Sequence, residues 1–442
     1  MGKPSLQVIT LGCSKNTVDT SHLLACLQED FSLLPEDAAP GNVDYLLLNT
    51  CGFIGDAKEE SIQAILEAVE RKKHSEAGKV IVFGCLSQRY ADSLPGLIPE
   101  VDGWFGARDL LPLIKALGVN PKPGFETHRY ISANPSYAFL KISEGCDRRC
   151  SYCAIPYIRG NHRSVPIEKL VEEATYLAAH GVRELVLIAQ DTTFYGLDLY
   201  KKRSLALLLR RLSEIEGIEW IRIHYSYPAD FPEDVLDEMV SNPKVCKYMD
   251  IPLQHVADPV LSAMHRGVDE AWTRALVKRM RERVPGIVLR TTMMVGHPGE
   301  KKAEFERLMD FVREARFERL GAFAYSEEEG TFGAANLKDS VPQKIKNQRL
   351  SALMEEQRGI SFAYNISRVG SLEKVLVDAV ADDGILVCRS EFESPEVDGE
   401  ILVKPASGQV EDASQLVGKF LQVKIVSADE YDLTADFVAV IG

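Results

Sequence analysis

From residue 4 to about residue 124, short apolar runs alternate with longer amphipathic stretches. The runs at 8–11, 45–48 and 80–83 have strand length, and segments with a helical period at 19–28 and 57–73 follow the first two. Strands alternating with helices predict a parallel sheet covered by helices, and sites in such sheets form outside the carboxyl ends of the strands. A second series begins near residue 137. Its apolar runs lie at 138–142, 184–189, 219–224, 248–253, 287–294 and 319–325, with helical stretches at 167–180, 204–215, 232–240, 270–283 and 303–315 between them. A closed barrel of this kind needs eight units, so six predict an open βα partial barrel. A longer helix over 342–368 should follow it.

Past residue 370 the helical period disappears. Runs with β patterning at 373–380, 384–388, 400–403, 420–426 and 436–441, separated by Gly, Asp and Ser turns, predict a small antiparallel barrel of about five strands. The expected fold class is α/β in three parts: an N-terminal parallel α/β domain (1–125), a central partial barrel (135–369) and a C-terminal β-barrel (371–442). A Pro- and Gly-containing linker is expected over 120–135.

Composition narrows the function classes. The chain has 442 residues, too many for one core, and 45% hydrophobic with 26% charged residues is ordinary for a globular enzyme. The longest apolar runs are strand-length, far short of the ~20 residues of a spanning helix. The start Met1-Gly-Lys-Pro-Ser5 lacks the layout of a secretory signal, so a cytoplasmic protein without a membrane partner is expected. The net charge is −14, which argues against a broad surface that coats nucleic acid. The charge is uneven. Residues 371–442 carry fifteen acidic against five basic side chains, or −10 of the total.

Nine cysteines without an export signal direct attention to metal or redox chemistry rather than disulfides. Cys13, Cys51 and Cys85 each follow one of the first three apolar runs by two or three residues, and each is flanked by a glycine. Three strand ends of one parallel sheet would bring them to one edge, where glycine lets the backbone approach closely. Buried small apolar residues are the alternative. The second set, Cys146-Asp-Arg-Arg-Cys150-Ser-Tyr-Cys153, stands directly after the first strand of the partial barrel. Three thiolates can hold three irons of a [4Fe–4S] cube and leave the fourth open to a small molecule. A tetrahedral zinc site completed by His162 competes with that.

Together these features resemble the radical S-adenosylmethionine superfamily and, within it, the methylthiotransferase family, whose members join a three-cysteine N-terminal domain, a partial barrel and a C-terminal TRAM-type β-barrel. The RimO-type branch fits best. Its strings are matched by Thr50-Cys-Gly-Phe-Ile54, Gly84-Cys-Leu-Ser-Gln-Arg-Tyr90, Gln190-Asp-Thr-Thr193, Pro252-Leu-Gln-His255 and Glu327-Glu-Glu-Gly-Thr331. The resemblance implies two [4Fe–4S] clusters, on Cys13, Cys51 and Cys85 and on Cys146, Cys150 and Cys153. It also implies S-adenosyl-L-methionine as cofactor, with Tyr152 near its adenine. The implied product carries a methylthio group on the β-carbon of an aspartate in the twelfth protein of the small ribosomal subunit, free or in the assembled subunit. A flavodoxin- or ferredoxin-like electron donor is implied as well. The sibling branch does the same chemistry on a tRNA adenosine near the anticodon, and an acidic C-terminal barrel argues against that substrate.

Polar residues at barrel strand ends are the remaining candidates: Glu144 and Gln190 for cofactor contact, then Asp191, His224, Gln254, His255 and Arg290. Arg148, Arg149, Arg159 and Arg163 crowd the cluster loop, where a solvated charge run is the default. The family usually has an aromatic where His297 stands, and a planar substitution is expected there. Cys26, Cys246 and Cys388 fit neither set and are expected to be structural.

Overall fold

A computed structural model describes residues 2–38, 41–122, 124–131, 135–404 and 412–441. The first sheet is parallel, with order β2-β1-β3-β4-β5, built from β1 (Ser5–Thr10), β2 (Ser32–Leu34), β3 (Val43–Thr50), β4 (Ala77–Gly84) and β5 (Gly103–Trp104). Helices α1 (Ser14–Leu27) and α2 (Gly55–Lys73) follow β1 and β3. Both faces of the sheet are buried. Leu46, Leu48, Val80 and Val82 pack on one side, and Leu6, Val8, Leu47 and Ile81 on the other. That two-sided burial explains why these strands read as continuous apolar runs rather than alternating ones. The edge strands β2 and β5, three and two residues long, are too short to leave a pattern in the sequence.

The second sheet has six parallel strands in the order β13-β12-β11-β10-β9-β6. They are β6 (Tyr137–Lys141), β9 (Glu184–Ile188), β10 (Trp220–Ile223), β11 (Val245–Asp250), β12 (Val288–Val295) and β13 (Arg319–Ala324). A two-residue hairpin, β7 (Ser143–Glu144) with β8 (Arg163–Ser164), brackets the cysteine loop. Leu140, Leu185, Leu187, Ile221, Ile223 and Met249 face the covering helices. The opposite, concave face is left open because six strands do not close, and the other two parts of the chain cover it. From α1, Val18 packs on Phe139, Val186 and Ile188. From the C-terminal barrel, Leu376 and Phe420 pack on Trp220, Cys246, Tyr248 and Val288.

The C-terminal barrel closes in the order β14-β15-β16-β18-β17, with β14 (Leu372–Val380), β15 (Leu386–Ser390), β16 (Ile401–Lys404), β17 (Phe420–Ala428) and β18 (Leu433–Ile441). The antiparallel expectation needs one correction: β16 and β18 pair in parallel. An odd number of strands cannot alternate in direction all the way round a closed ring, so one like-directed pair is unavoidable. The end of β15 and the segment between β15 and β16 reach into the open face of the partial barrel. There Arg389 reaches Glu184, Glu393 pairs with Arg319 and Arg368, and Ser394 lies 2.6 Å from His224. The helix Gln343–Ser367 follows β13 as expected. Among the described residues no helix is long and apolar enough to cross a membrane.

Candidate active site between two cysteine sets

The N-terminal set starts from strand register. Thr10 pairs with Asn49 and Thr50 with Gly84, so β1, β3 and β4 end level with one another. Cys13 caps α1, Cys51 follows β3, and Cys85 opens the short helix α3 (Cys85–Arg89). Two glycines decide how close these exits come. Gly12 has φ +97° and a Cβ there would meet the Cys51 Cβ at 2.7 Å. Gly84 has φ +104° and its Cβ would lie 2.7 Å from the Thr50 nitrogen. Asn16 and Asn49 lock the edge from beneath. Asn16 Nδ2 donates to the Leu11 carbonyl at 2.8 Å, and Asn49 Nδ2 donates to the Asn16 carbonyl at 2.9 Å. Cys13 is exposed, whereas Cys51 and Cys85 are buried.

The second set lies on the loop after β7. Gly160 and Asp147 tie the loop down: Cys146 N donates to the Gly160 carbonyl at 3.0 Å and His162 N to Asp147 Oδ1 at 3.1 Å. Two residues that the sequence did not single out stand at Cys150. Arg266 Nη1 lies 3.5 Å from its sulfur and the Tyr227 hydroxyl 3.7 Å. The same guanidinium donates to the Tyr152 hydroxyl at 3.2 Å. Tyr152 packs against Ala257, Val260, Met264, Met294 and Tyr325.

Arg159 joins the two sets. It is 4% exposed, so the solvated-charge expectation is wrong for it. Its Nε donates to Cys85 Sγ at 3.2 Å and its Nη2 to Asn16 Oδ1 at 2.6 Å. Nη1 donates to Asp19 Oδ2 at 2.7 Å and to Glu144 Oε2 at 3.0 Å. Lys141 completes the cluster by pairing with both Asp19 and Glu144. These cations hold the Glu144 carboxyl down at about 2 despite its burial. Gln190 Nε2 donates to Glu144 Oε1 at 2.8 Å, and Gln190 Oε1 is buried without a partner among the described residues. Arg148 is also engaged, with Asp191 at 2.9 Å and over the Tyr227 ring. Arg149 donates to Asn161 and Arg163 is exposed.

The other strand-end candidates are tied into internal contacts. His224 faces Ser394, Arg290 pairs with Asp250 at 3.0 Å, and His255 Nε2 lies 3.8 Å from Glu300. Gln254 is the exception: it has φ +72° and its backbone bridges to Met293, but its Oε1 is buried without a hydrogen-bond partner among the described residues. His297 is fully buried; its Nδ1 lies 3.0 Å from the Pro298 carbonyl oxygen and its ring packs edge-on with Tyr325. Burial holds its pKa down at about 4, so it is a neutral planar ring at neutral pH. His162 is turned to Ser164 at 3.0 Å and packs on Phe194. Cys246 and Cys388 sit in apolar clusters, and Cys26 packs at the edge of a third. Lys15, Asn16 and Asp19 were missed, although one signal was available. They are polar side chains on the buried face of an amphipathic helix.

The donor sets suit iron–sulfur clusters. Burial pushes the Cys85 and Cys146 thiols up to about 12 and also raises Cys51 and Cys153. Thiols so placed favour the neutral form unless a bound cation supplies the compensating charge. Among the described residues no three His, Cys, Asp or Glu side chains stand close enough to share one metal ion. A [4Fe–4S] cube takes one thiolate per iron, so it does not require three ligands around a single centre.

Comparisons with known proteins agree with this layout. Residues 5–106 match the model of the uncharacterized protein family UPF0004, residues 140–312 that of the radical SAM superfamily and residues 369–438 that of the TRAM domain. Among solved structures, the radical S-adenosylmethionine methyltransferase TsrM from Kitasatospora setae superposes with a TM-score of 0.55 at 14% identity. The match covers 73% of this chain and 72% of that one, and it speaks for the fold alone. The ribosomal protein uS12 methylthiotransferase RimO of Porphyromonas gingivalis is 49% identical over 99% of this chain and 100% of its own length. The protein of the same name from Bacteroides fragilis is 47% identical over the same shares, and that from Flavobacterium johnsoniae 48% over 98% and 97%. With that identity over nearly the whole of both chains, this chain belongs to the RimO methylthiotransferase family.

Proposed function

We infer that this chain is a radical S-adenosylmethionine methylthiotransferase that acts on ribosomal protein uS12, at the β-carbon of an aspartate. The observation that carries this reading is the juxtaposition of two separate three-cysteine sets, one at the edge of the first sheet and one in the barrel loop, linked by Arg159. We propose Cys146, Cys150 and Cys153 as ligands of the cluster that binds S-adenosyl-L-methionine, and Cys13, Cys51 and Cys85 as ligands of a second. When bound, these groups supply a carbon-centred radical and a transferable sulfur, chemistry that no acid–base side chain provides.

The chain's own residues position and enclose. Arg266 braces Tyr152 and Cys150 together. Tyr152 offers a ring for the cofactor's adenine, and Gln190, with its unpartnered Oε1, offers an acceptor. Glu144 orients that amide while neutralising Lys141 and Arg159. The reading assigns the α/β part to residues 1–125, the radical-forming part to 135–369 and the substrate-facing barrel to 371–442.

Charge supports a basic protein substrate over RNA. Asp378 and Glu393 are consumed by internal arginines, but Asp382, Asp383, Asp429, Asp432 and Asp436 remain exposed on the C-terminal barrel. They would repel tRNA phosphates and steer a basic partner. The reading further includes a flavodoxin- or ferredoxin-like donor, a cytoplasmic setting, and either free uS12 or the assembled small subunit as substrate.

The test is a competition. The chain is purified without oxygen, its clusters rebuilt, and small subunits and unmodified tRNA are offered together with S-adenosylmethionine, sulfide and reductant. Mass spectrometry should find the methylthio group on uS12 and none in the Cys150→Ala variant. Label on tRNA would overturn the substrate, and intact clusters without deoxyadenosine would overturn the chemistry.

A further inference from the structure

Lys15 stands two residues past Cys13 in the first turn of α1 and is only 8% exposed. A lysine this buried almost always has a carboxylate partner. Among the described residues Lys15 makes no ion pair or hydrogen bond through its ammonium. Its Nζ lies 3.1 Å from the centroid of the Tyr225 ring, immediately past the end of β10. Neighbouring acids are already committed: Asp19 to Lys141 and Arg159, and Asp250 to Arg290 and the Tyr225 nitrogen. The aromatic face holds the ammonium in place but offers it neither a full negative charge nor a lone-pair acceptor. A cation is therefore fixed at the meeting of the first cysteine set and the barrel strand ends, with no carboxylate of its own among the described residues.

We propose that the Lys15 ammonium binds the side-chain carboxylate of the aspartate that is modified. The inference rests on the reading that an aspartate is the reacting residue. In aspartate the β-carbon is bonded directly to the carboxylate carbon, so an anchor on the carboxylate fixes the reacting carbon one bond away. Such an anchor also sets specificity, because asparagine and a nucleobase offer no anion to it. Tyr225 keeps the ammonium from swinging out to solvent. Arg159 and Arg148, which crowd the same region, are tied to Asp19, Glu144 and Asp191 and are not free to serve.

The test measures binding without turnover. Cluster-loaded enzyme without reductant is titrated with purified uS12 and with uS12 whose target aspartate is replaced by asparagine. Wild type should prefer the aspartate form. Lys15→Met should weaken binding of that form about 10- to 100-fold, the range of a charge-assisted hydrogen bond, and leave the asparagine form unchanged. Lys15→Arg should recover part of the preference. Equal losses for both forms in Lys15→Met, or no loss, would overturn the inference. So would weakened binding of S-adenosylmethionine with uS12 binding intact, which would assign the ammonium to the cofactor's carboxylate. A wild type that neither binds nor labels uS12, whether free or in the assembled small subunit, would overturn the functional reading and this inference together. Labelled uS12 with an unchanged Kd in Lys15→Met would overturn this inference alone.

Discussion

The Arg159 guanidinium donates to the Cys85 sulfur at 3.2 Å, although Cys85 opens the helix after β4 and Arg159 ends a short helix between β7 and β8. One side chain thus sets the position of the first cysteine set against the loop that carries the second. Hydrogen bonds to ligand sulfurs tune the potential of an iron–sulfur cluster. They do so by stabilising the more negative, reduced state.

Arg159→Met removes that donor and strips Asp19 and Glu144 of one cation. Breaking a buried pair costs about 3–5 kcal/mol, and Lys141 remains beside both carboxylates, so a loss near the lower end is expected by chemical denaturation. The midpoint potential of the N-terminal cluster should fall, measured by redox titration followed by electron paramagnetic resonance. An unchanged potential would show that the hydrogen bond does not reach the cluster.

The two cysteine sets should separate in their products. Cys51→Ala is expected to retain about four irons per chain and to form deoxyadenosine, but to transfer no methylthio group. Cys150→Ala should also retain about four, yet form no deoxyadenosine. Iron assay and product analysis on the same preparations check both.

Acid should destabilise the protein through its histidines. Burial depresses His224 and His255 to about 3 and His297 to about 4. Stability from these neutral rings is present above their ordinary value of 6.5 and is lost as pH falls through and below it. Glu300 opposes them. Burial raises its carboxyl to about 7, so the stability it contributes is complete below 4.5 and is lost as pH rises towards 7. Three groups outweigh one, and Tm should fall between pH 7 and pH 5. Glu300→Gln should steepen that fall; a shallower one would contradict the assignment.

The C-terminal barrel is held by charge as well as by the Trp220–Phe420 contact. Glu184 is fully buried between Arg222 at 2.6 Å and Arg389 at 2.8 Å, and Arg389 also pairs with Asp378. Arg389→Met leaves one excess buried negative charge and should cost about 3–5 kcal/mol. Hydrogen exchange should locate the loosening at β14 and β15 rather than in the first sheet.

What depends on local chain direction is legible in the residues alone. An apolar run followed within three residues by a cysteine flanked by glycine places Cys13, Cys51 and Cys85 at strand ends whatever the rest of the chain does, because parallel strands share one carboxyl edge. Six βα units predict an open barrel for the same local reason. Which surfaces meet is settled in the folded molecule. Arg159 read as one more charge in a basic loop until docking set it beside Cys85 and Asp19. Lys15 lies outside the amphipathic stretch read at 19–28, and only the fold sets it against Tyr225. The acidic count of the last segment likewise concealed Asp378 and Glu393, which face arginines inside the molecule. Such partners are far apart in sequence and share no period, so the choice among them is made by packing: burying the open face of a six-stranded barrel brings these charges out of water and obliges each to find its counterpart.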